Sequence, residues 1–169
     1  MTPRLPSRLR PGALVALVAL GGCGFTPLYD APGVTGGLSH IEVVAPRQDR
    51  VGYVLSEDLN DDFAHATGSA PRYRLDMRVG ETRVAHGLTA NATAQRYEED
   101  VRVDYTLTDI ATGKVVHTGW VVSNLSYDST NQPYAGIAAR TDTQNRLASD
   151  AAQKIQLQVA AWMAAHGGG

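Results

Sequence analysis

Side chains able to do covalent or metal chemistry are few in this sequence. Its single thiol, Cys23, cannot form an intrachain disulfide and has no second cysteine for a CxxC redox pair or a structural zinc site. His40, His65, His86, His117 and His166 are scattered, with no two at HxH or i, i+4 spacing, so no metal set is expected. Asp61-Asp62 and Glu98-Glu99-Asp100 are the acid clusters. A carboxylate pair in a cleft can run acid/base chemistry, but on a helix face and beside a strand start these read as solvated surface. No serine sits in a nucleophile elbow, and no glycine-rich turn stands between a strand and a helix as a phosphate loop. No catalytic residue is expected, and the chain is read as a non-enzyme. One distribution remains: Arg72, Arg74 and Arg78 alternate along one segment and Arg102 lies on another, with Arg83 and Arg96 near them in sequence. Guanidinium groups grip phosphate by paired hydrogen bonds, so such a face could meet a phosphorylated glycolipid. The competing reading is a solvated sheet face on which Asp76, Asp100 and Asp104 pair with the arginines across strands.

The N-terminus gives the thiol a role. Arg4, Arg8 and Arg10 precede the apolar run Ala13 to Leu20 and then Gly21-Gly22-Cys23, the layout of an export signal. Eight apolar residues are too few for a membrane span, which needs about 20. Leu20-Gly21-Gly22-Cys23 resembles the lipobox of bacterial lipoproteins. There the thiol is alkylated with diacylglycerol, a peptidase whose narrow site needs small residues cuts before it, and the new amine takes an N-acyl chain. An ordinary secretory signal that leaves Cys23 free is the alternative, but charge, apolar length and spacing together favour lipidation. Each buried CH₂ adds about 0.8 kcal/mol, so two or three acyl chains anchor the protein stably. Gly24 rather than aspartate follows the cysteine, as in lipoproteins forwarded to the outer membrane. Residues 1–22 then form a signal peptide and 23–37 a lipidated tether. Loss of Arg4, Arg8 and Arg10 takes the formal charge from -2 to -5, and no basic block suggests nucleic-acid binding.

The elements that must position the arginines follow from periodicity. With 169 residues, 43% hydrophobic and 19% charged, one domain with its own core is expected, at 38–166. Leu38–Ala45 reads as a strand stopped by Pro46. Val51, Leu55, Leu59 and Phe63 recur every fourth residue, so Asp49 to about His65 reads as an amphipathic helix with Asp49 as its N-cap. Arg72–Val79 alternates polar and apolar as a half-buried strand, and Glu81–His86 continues it past a bulge at Gly80 or forms a short strand of its own. Glu99–Thr108 alternates with Val101, Val103, Tyr105 and Leu107 on one face, and a turn at 109–114 joins it to Val115–Val122 as a hairpin. Ser123–Tyr134 reads as a loop. Thr141–Ala165 carries Leu147, Ala151, Ile155, Val159, Trp162 and Met163 at helical spacing, and Trp120 and Trp162 are expected in the core. The expected fold is α+β: a two-layer sandwich in the order β-α-β-β-β-α, with two helices on one face of a four-stranded mixed, mainly antiparallel sheet.

The lipobox running directly into Cys23-Gly24-Phe25-Thr26-Pro27-Leu28-Tyr29, followed by this element order, resembles the lipopolysaccharide-assembly lipoprotein family LptE, in its alphaproteobacterial form. The specific motif covers residues 23–29; Thr26-Pro27 stands where the gammaproteobacterial branch has a Gly-Phe-His-Leu type start. The resemblance implies an outer-membrane lipoprotein that plugs an LptD-like β-barrel, assists its assembly and helps deliver lipopolysaccharide to the outer leaflet. It implies no cofactor beyond the covalent diacylglycerol and N-acyl chain on Cys23. Arg72, Arg74, Arg78 and Arg102 then become candidate contacts to lipid A phosphates or acidic barrel residues. The other reading of the architecture is a periplasmic lipid carrier or ABC-transporter auxiliary lipoprotein, which would need a large apolar cavity where a plug needs a filled core.

Overall fold

The computed structural model describes residues 37–63, 70–88, 94–128 and 132–166. The order is β1 (Ile41–Val44), α1 (Arg50–Phe63), β2 (Tyr73–Leu88), β3 (Ala94–Asp109), β4 (Lys114–Asp128) and α2 (Pro133–His166). The sheet runs β1-β2-β3-β4, with β1 parallel to β2 and the other neighbours antiparallel. Both helices pack on one face, so the α+β two-layer sandwich expected from periodicity is the fold.

Each element forms for a local reason. Asp49 caps α1: its Oδ1 accepts from the Gly52 amide at 2.6 Å, filling a donor the helix leaves unpaired. Val51, Leu55, Leu59 and Phe63 are buried, and Ser149 Oγ donates to Asp58 Oδ2 at 2.7 Å to tie α1 to α2. The odd-numbered residues Tyr73, Leu75 and Met77 of β2 pack beneath the helices with Val101, Val103, Tyr105 and Leu107 of β3. From α2, Leu147, Ala151, Ile155, Val159 and Met163 close the core, with Ala148, Ala152 and Ala160 letting the helix approach. The turn after β3 is built by Asp109, whose Oδ1 accepts from the Thr112 amide at 2.8 Å and from its hydroxyl at 2.9 Å, while Gly113 supplies φ 66°.

Several boundaries differ from the sequence reading. β1 is shorter, at Ile41–Val44. Gly80 makes no bulge: it pairs with Arg102 in an unbroken register, so β2 is one strand to Leu88. Much of the expected loop Ser123–Tyr134 is strand and helix. Ser123–Asp128 continues β4 opposite Arg96–Val101, and α2 begins at Pro133, the first-turn position where a missing amide costs nothing.

Candidate functional site

Antiparallel pairing places directly opposed residues on one face, so the register fixes what the helix-free face carries. Arg74 faces Thr108, Arg78 faces Asp104, and Arg102 stands opposite Gly80 on β2 and Val122 on β4. Arg72 precedes β2, its guanidinium 5.1 Å from the ring centroid of Tyr73, whose side chain is buried on the helix side, and Arg74, Arg78 and Arg102 share the open face. Arg83 does not. It lies on the helix side, 4.4 Å from the Tyr97 ring centroid, whereas Arg96 is on the open face bonded to Asp128 at 3.0 Å. Cys23 falls outside the described residues.

The arginines are already engaged. Arg74 Nε donates to Asp76 Oδ2 at 2.9 Å, and Arg102 donates to both Asp104 oxygens, the shortest bond being 2.7 Å from Nη2. The expected cross-strand pairing is thus found two residues along the same strand, where alternate side chains are neighbours on one face. That guanidinium bond holds the Asp104 carboxyl below the usual carboxylate range. Arg72 reaches Asp109 at 4.0 Å, and bonds from the Thr112 backbone and side chain hold that carboxyl low as well. Arg78 stands opposite the same Asp104 without a bond of its own, and its charge also lowers that carboxyl.

The residue that sequence reasoning misplaced is Trp120. It is 57% exposed on the open face, with the Arg102 guanidinium 4.8 Å from its ring centroid. Opposed to Asp104 in the register, Trp120 completes an Asp104–Arg102–Trp120 stack in which the acid orients the guanidinium and the guanidinium covers the ring. Val122 and Val44 extend this face as exposed apolar positions. The signal for exposure lies in the alternation: Trp120 shares the parity of Thr118, Val122 and Asn124, while Val121 and Ser123 are buried. Trp162 is half-buried, edge-on to Tyr73 at 5.8 Å and stacked between His117 and His166.

Of the acid clusters, Glu98 and Asp100 stay on the open face, Glu98 bonding His86 at 3.0 Å. Glu99 turns under α2 and is 1% exposed, with Arg140 Nε 3.5 Å and Gln144 Nε2 3.4 Å from its Oε1. Among the described residues no three His, Cys, Asp or Glu are placed to hold a metal ion, and no helix is long and apolar enough to cross a membrane.

The sequence family LptE, lipopolysaccharide-assembly, matches residues 38–159. A candidate lipoprotein from Caulobacter crescentus CB15, known from a crystal structure, is 46% identical and superposes with a TM-score of 0.65, covering 78% of this chain and 96% of that one. The rare lipoprotein B of Shewanella oneidensis, 13% identical, covers 72% of this chain and 94% of its own with a TM-score of 0.55. A minor lipoprotein of Acinetobacter baumannii, 18% identical, covers 72% and 88% with a TM-score of 0.51. The last two share the fold. No curated protein matches the chain.

Proposed function

The chain belongs to the LptE lipopolysaccharide-assembly family, and from that premise we propose that it is an outer-membrane lipoprotein that plugs and helps assemble an LptD-like β-barrel, in the delivery of lipopolysaccharide to the outer leaflet. The role is binding and scaffolding, without catalysis or a cofactor. The observation that carries it is the family match across the folded domain, residues 38–159.

The physical features fit a plug. The layer between helices and sheet is filled by fully buried side chains such as Leu55, Leu75, Leu107, Leu147 and Ile155, so the domain is a rigid body. The surface grooves have mixed linings, as at Asn124, Asn145, Ser149 and Asp150, or at Val44, Pro46, Asp76 and Arg78. A carrier would enclose acyl chains in an apolar cavity, so the filled core favours the plug. The wet lumen of a large barrel is polar, which matches an open sheet face of ion pairs around one aromatic.

In this reading residues 1–22 are removed, Cys23 carries the acyl chains, and 23–37 tether the domain at 38–166. Arg72, Arg74, Arg78 and Arg102 meet acidic groups, either of the barrel wall or lipid A phosphates. Either partner would have to share or displace the carboxylates of Asp76 and Asp104 that already bond Arg74 and Arg102. Depletion of the chain from its own cells tests the proposal: the barrel should fail to mature and lipopolysaccharide should be lost from the surface. Normal barrel maturation with normal surface lipopolysaccharide would refute it.

A further inference from the structure

The tether leaves the domain at one end of the sheet. Gly37, the first described residue, packs against Met163 in the last turn of α2, where a Cβ on the glycine would come 3.1 Å from the Met163 sulfur. His40 O accepts from the amides of Arg72 and Tyr73, at 2.8 and 3.1 Å, and Arg72 O accepts from the Ile110 amide at 2.9 Å. These contacts gather the tether exit, the entry to β2, the β3–β4 turn and the end of α2 in one place. Leu88, Ala94 and Asp128 lie at the opposite end of the sheet.

The tether end carries apolar side chains that the core leaves uncovered. Ile110, Val115 and Val116 are all exposed, Val115 by 58%. Consecutive strand residues point to opposite faces, so one of two neighbouring valines ordinarily enters the core; the start of β4 buries neither. Two cations stand beside them, Lys114 and Arg72, both exposed. The acid between, Asp109, is turned inward, where it accepts from the Thr112 amide and hydroxyl.

We propose that this end lies against the phospholipid surface that holds the acyl chains of Cys23, with Ile110, Val115 and Val116 entering the headgroup boundary and Lys114 and Arg72 meeting anionic lipid. The length of chain outside the domain points to this occupant. Residues 23–36 are 14 residues and span at most about 50 Å, while the 34 residues of α2 make the body about 51 Å long. With the tether end turned away from the bilayer, the chain would have to run fully extended back along the whole body. With that end down no such stretch is needed, and the uncovered apolar side chains are the ones that meet lipid. The proposal rests on acylation of Cys23 and concerns the lipoprotein before a barrel encloses it. It stands the strands upright on the bilayer, so the open face with Arg102 and Trp120 is held clear of lipid for the barrel to close around.

The test uses the full chain, processed in its cells, purified in detergent and reconstituted on vesicles of phosphatidylethanolamine and phosphatidylglycerol. Intact mass reads the acylation first. Acyl chains occupy the one native thiol, so a single introduced cysteine takes a nitrobenzoxadiazole label alone. Labels at Ile110→Cys and Val115→Cys should shift to the blue and be quenched by nitroxide lipids at least about fivefold more than labels at Val84→Cys and Asn124→Cys, which are also exposed but lie up the sheet. With the label at Ile110→Cys, Lys114→Glu together with Val116→Asp should cut that quenching about fivefold. Both side chains are exposed, so the fold is kept, which far-UV circular dichroism checks. An unacylated chain would refute the tether and the proposal together. On an acylated chain, equal spectra at all four positions, or quenching that survives the double substitution, would overturn the proposal alone.

Discussion

Gly119 stands opposite Tyr105 in the β3–β4 register, and the Tyr105 ring lies across the space a side chain would fill. A Cβ there would overlap the Tyr105 hydroxyl and sit 2.5 Å from Cζ and 2.8 Å from Cε1. The ring cannot swing away freely. It is 2% exposed, donates to Gln158 Oε1 at 2.7 Å, and lies 3.2 Å from His117 Nε2. Overpacking of a built core costs about 1–3 kcal/mol, and a displaced hydroxyl forfeits about 1 kcal/mol for each bond lost. Against this, replacing glycine restricts the unfolded chain and returns roughly 0.4–1 kcal/mol. Gly119→Ala should therefore destabilise the protein by about 1–3 kcal/mol, a fall in Tm of roughly 3–12 °C for a domain of this size. Thermal melts of the full chain by far-UV circular dichroism measure it, with Gly136→Ala as control, since a Cβ there meets nothing within 4 Å. In a Tyr105→Leu background the cost of Gly119→Ala should shrink, because the clashing atoms are gone. A Gly119→Ala protein as stable as the parent, or the same cost in both backgrounds, would refute the packing argument.

Asp49→Ala removes the N-cap of α1 and should lower stability by about 1 kcal/mol, read as a shift of the urea midpoint with unchanged slope. His117 is held below the usual histidine range by burial and by the charge of His166, so the unfolded chain binds a proton more readily than the folded one. Stability from this site is complete above about pH 6.5 and falls as pH drops through the window beneath it; His117→Gln should flatten the melting temperature between about pH 6.5 and 5.5. Trp120→Ala removes an exposed ring, so it should change stability by no more than about 0.5 kcal/mol. Titrated against the purified barrel, the same variant should weaken binding by about 2 kcal/mol or more, as expected for a Trp–Arg hot spot.

Much of the fold was legible because each half-buried element repeats its burial pattern. Tyr73, Leu75 and Met77, then Val101 to Leu107, alternate without error, and Val51 to Phe63 keeps a helical period. Ser123–Asp128 was not legible as strand. Asn124, Ser126 and Asp128 are turn-type residues, and only pairing with Arg96–Val101 makes them a ladder. The first turns of α2 hid for the opposite reason: Tyr134 and Ile137 are exposed, so no buried stripe marks them. The shared face of Arg74, Arg78 and Arg102 could be read from parity within strands, but it needed the β2–β3 register to be placed in space. Residue type alone puts Trp120 in the core, whereas the parity of its neighbours points it outward.

The central claim is tested most directly by isolating the tagged, full-length protein from detergent-solubilised outer membranes and identifying what comes with it by mass spectrometry. A large β-barrel in near one-to-one amount is the predicted result. Recovery of the chain without a barrel, or with an inner-membrane ATPase complex, would contradict the account.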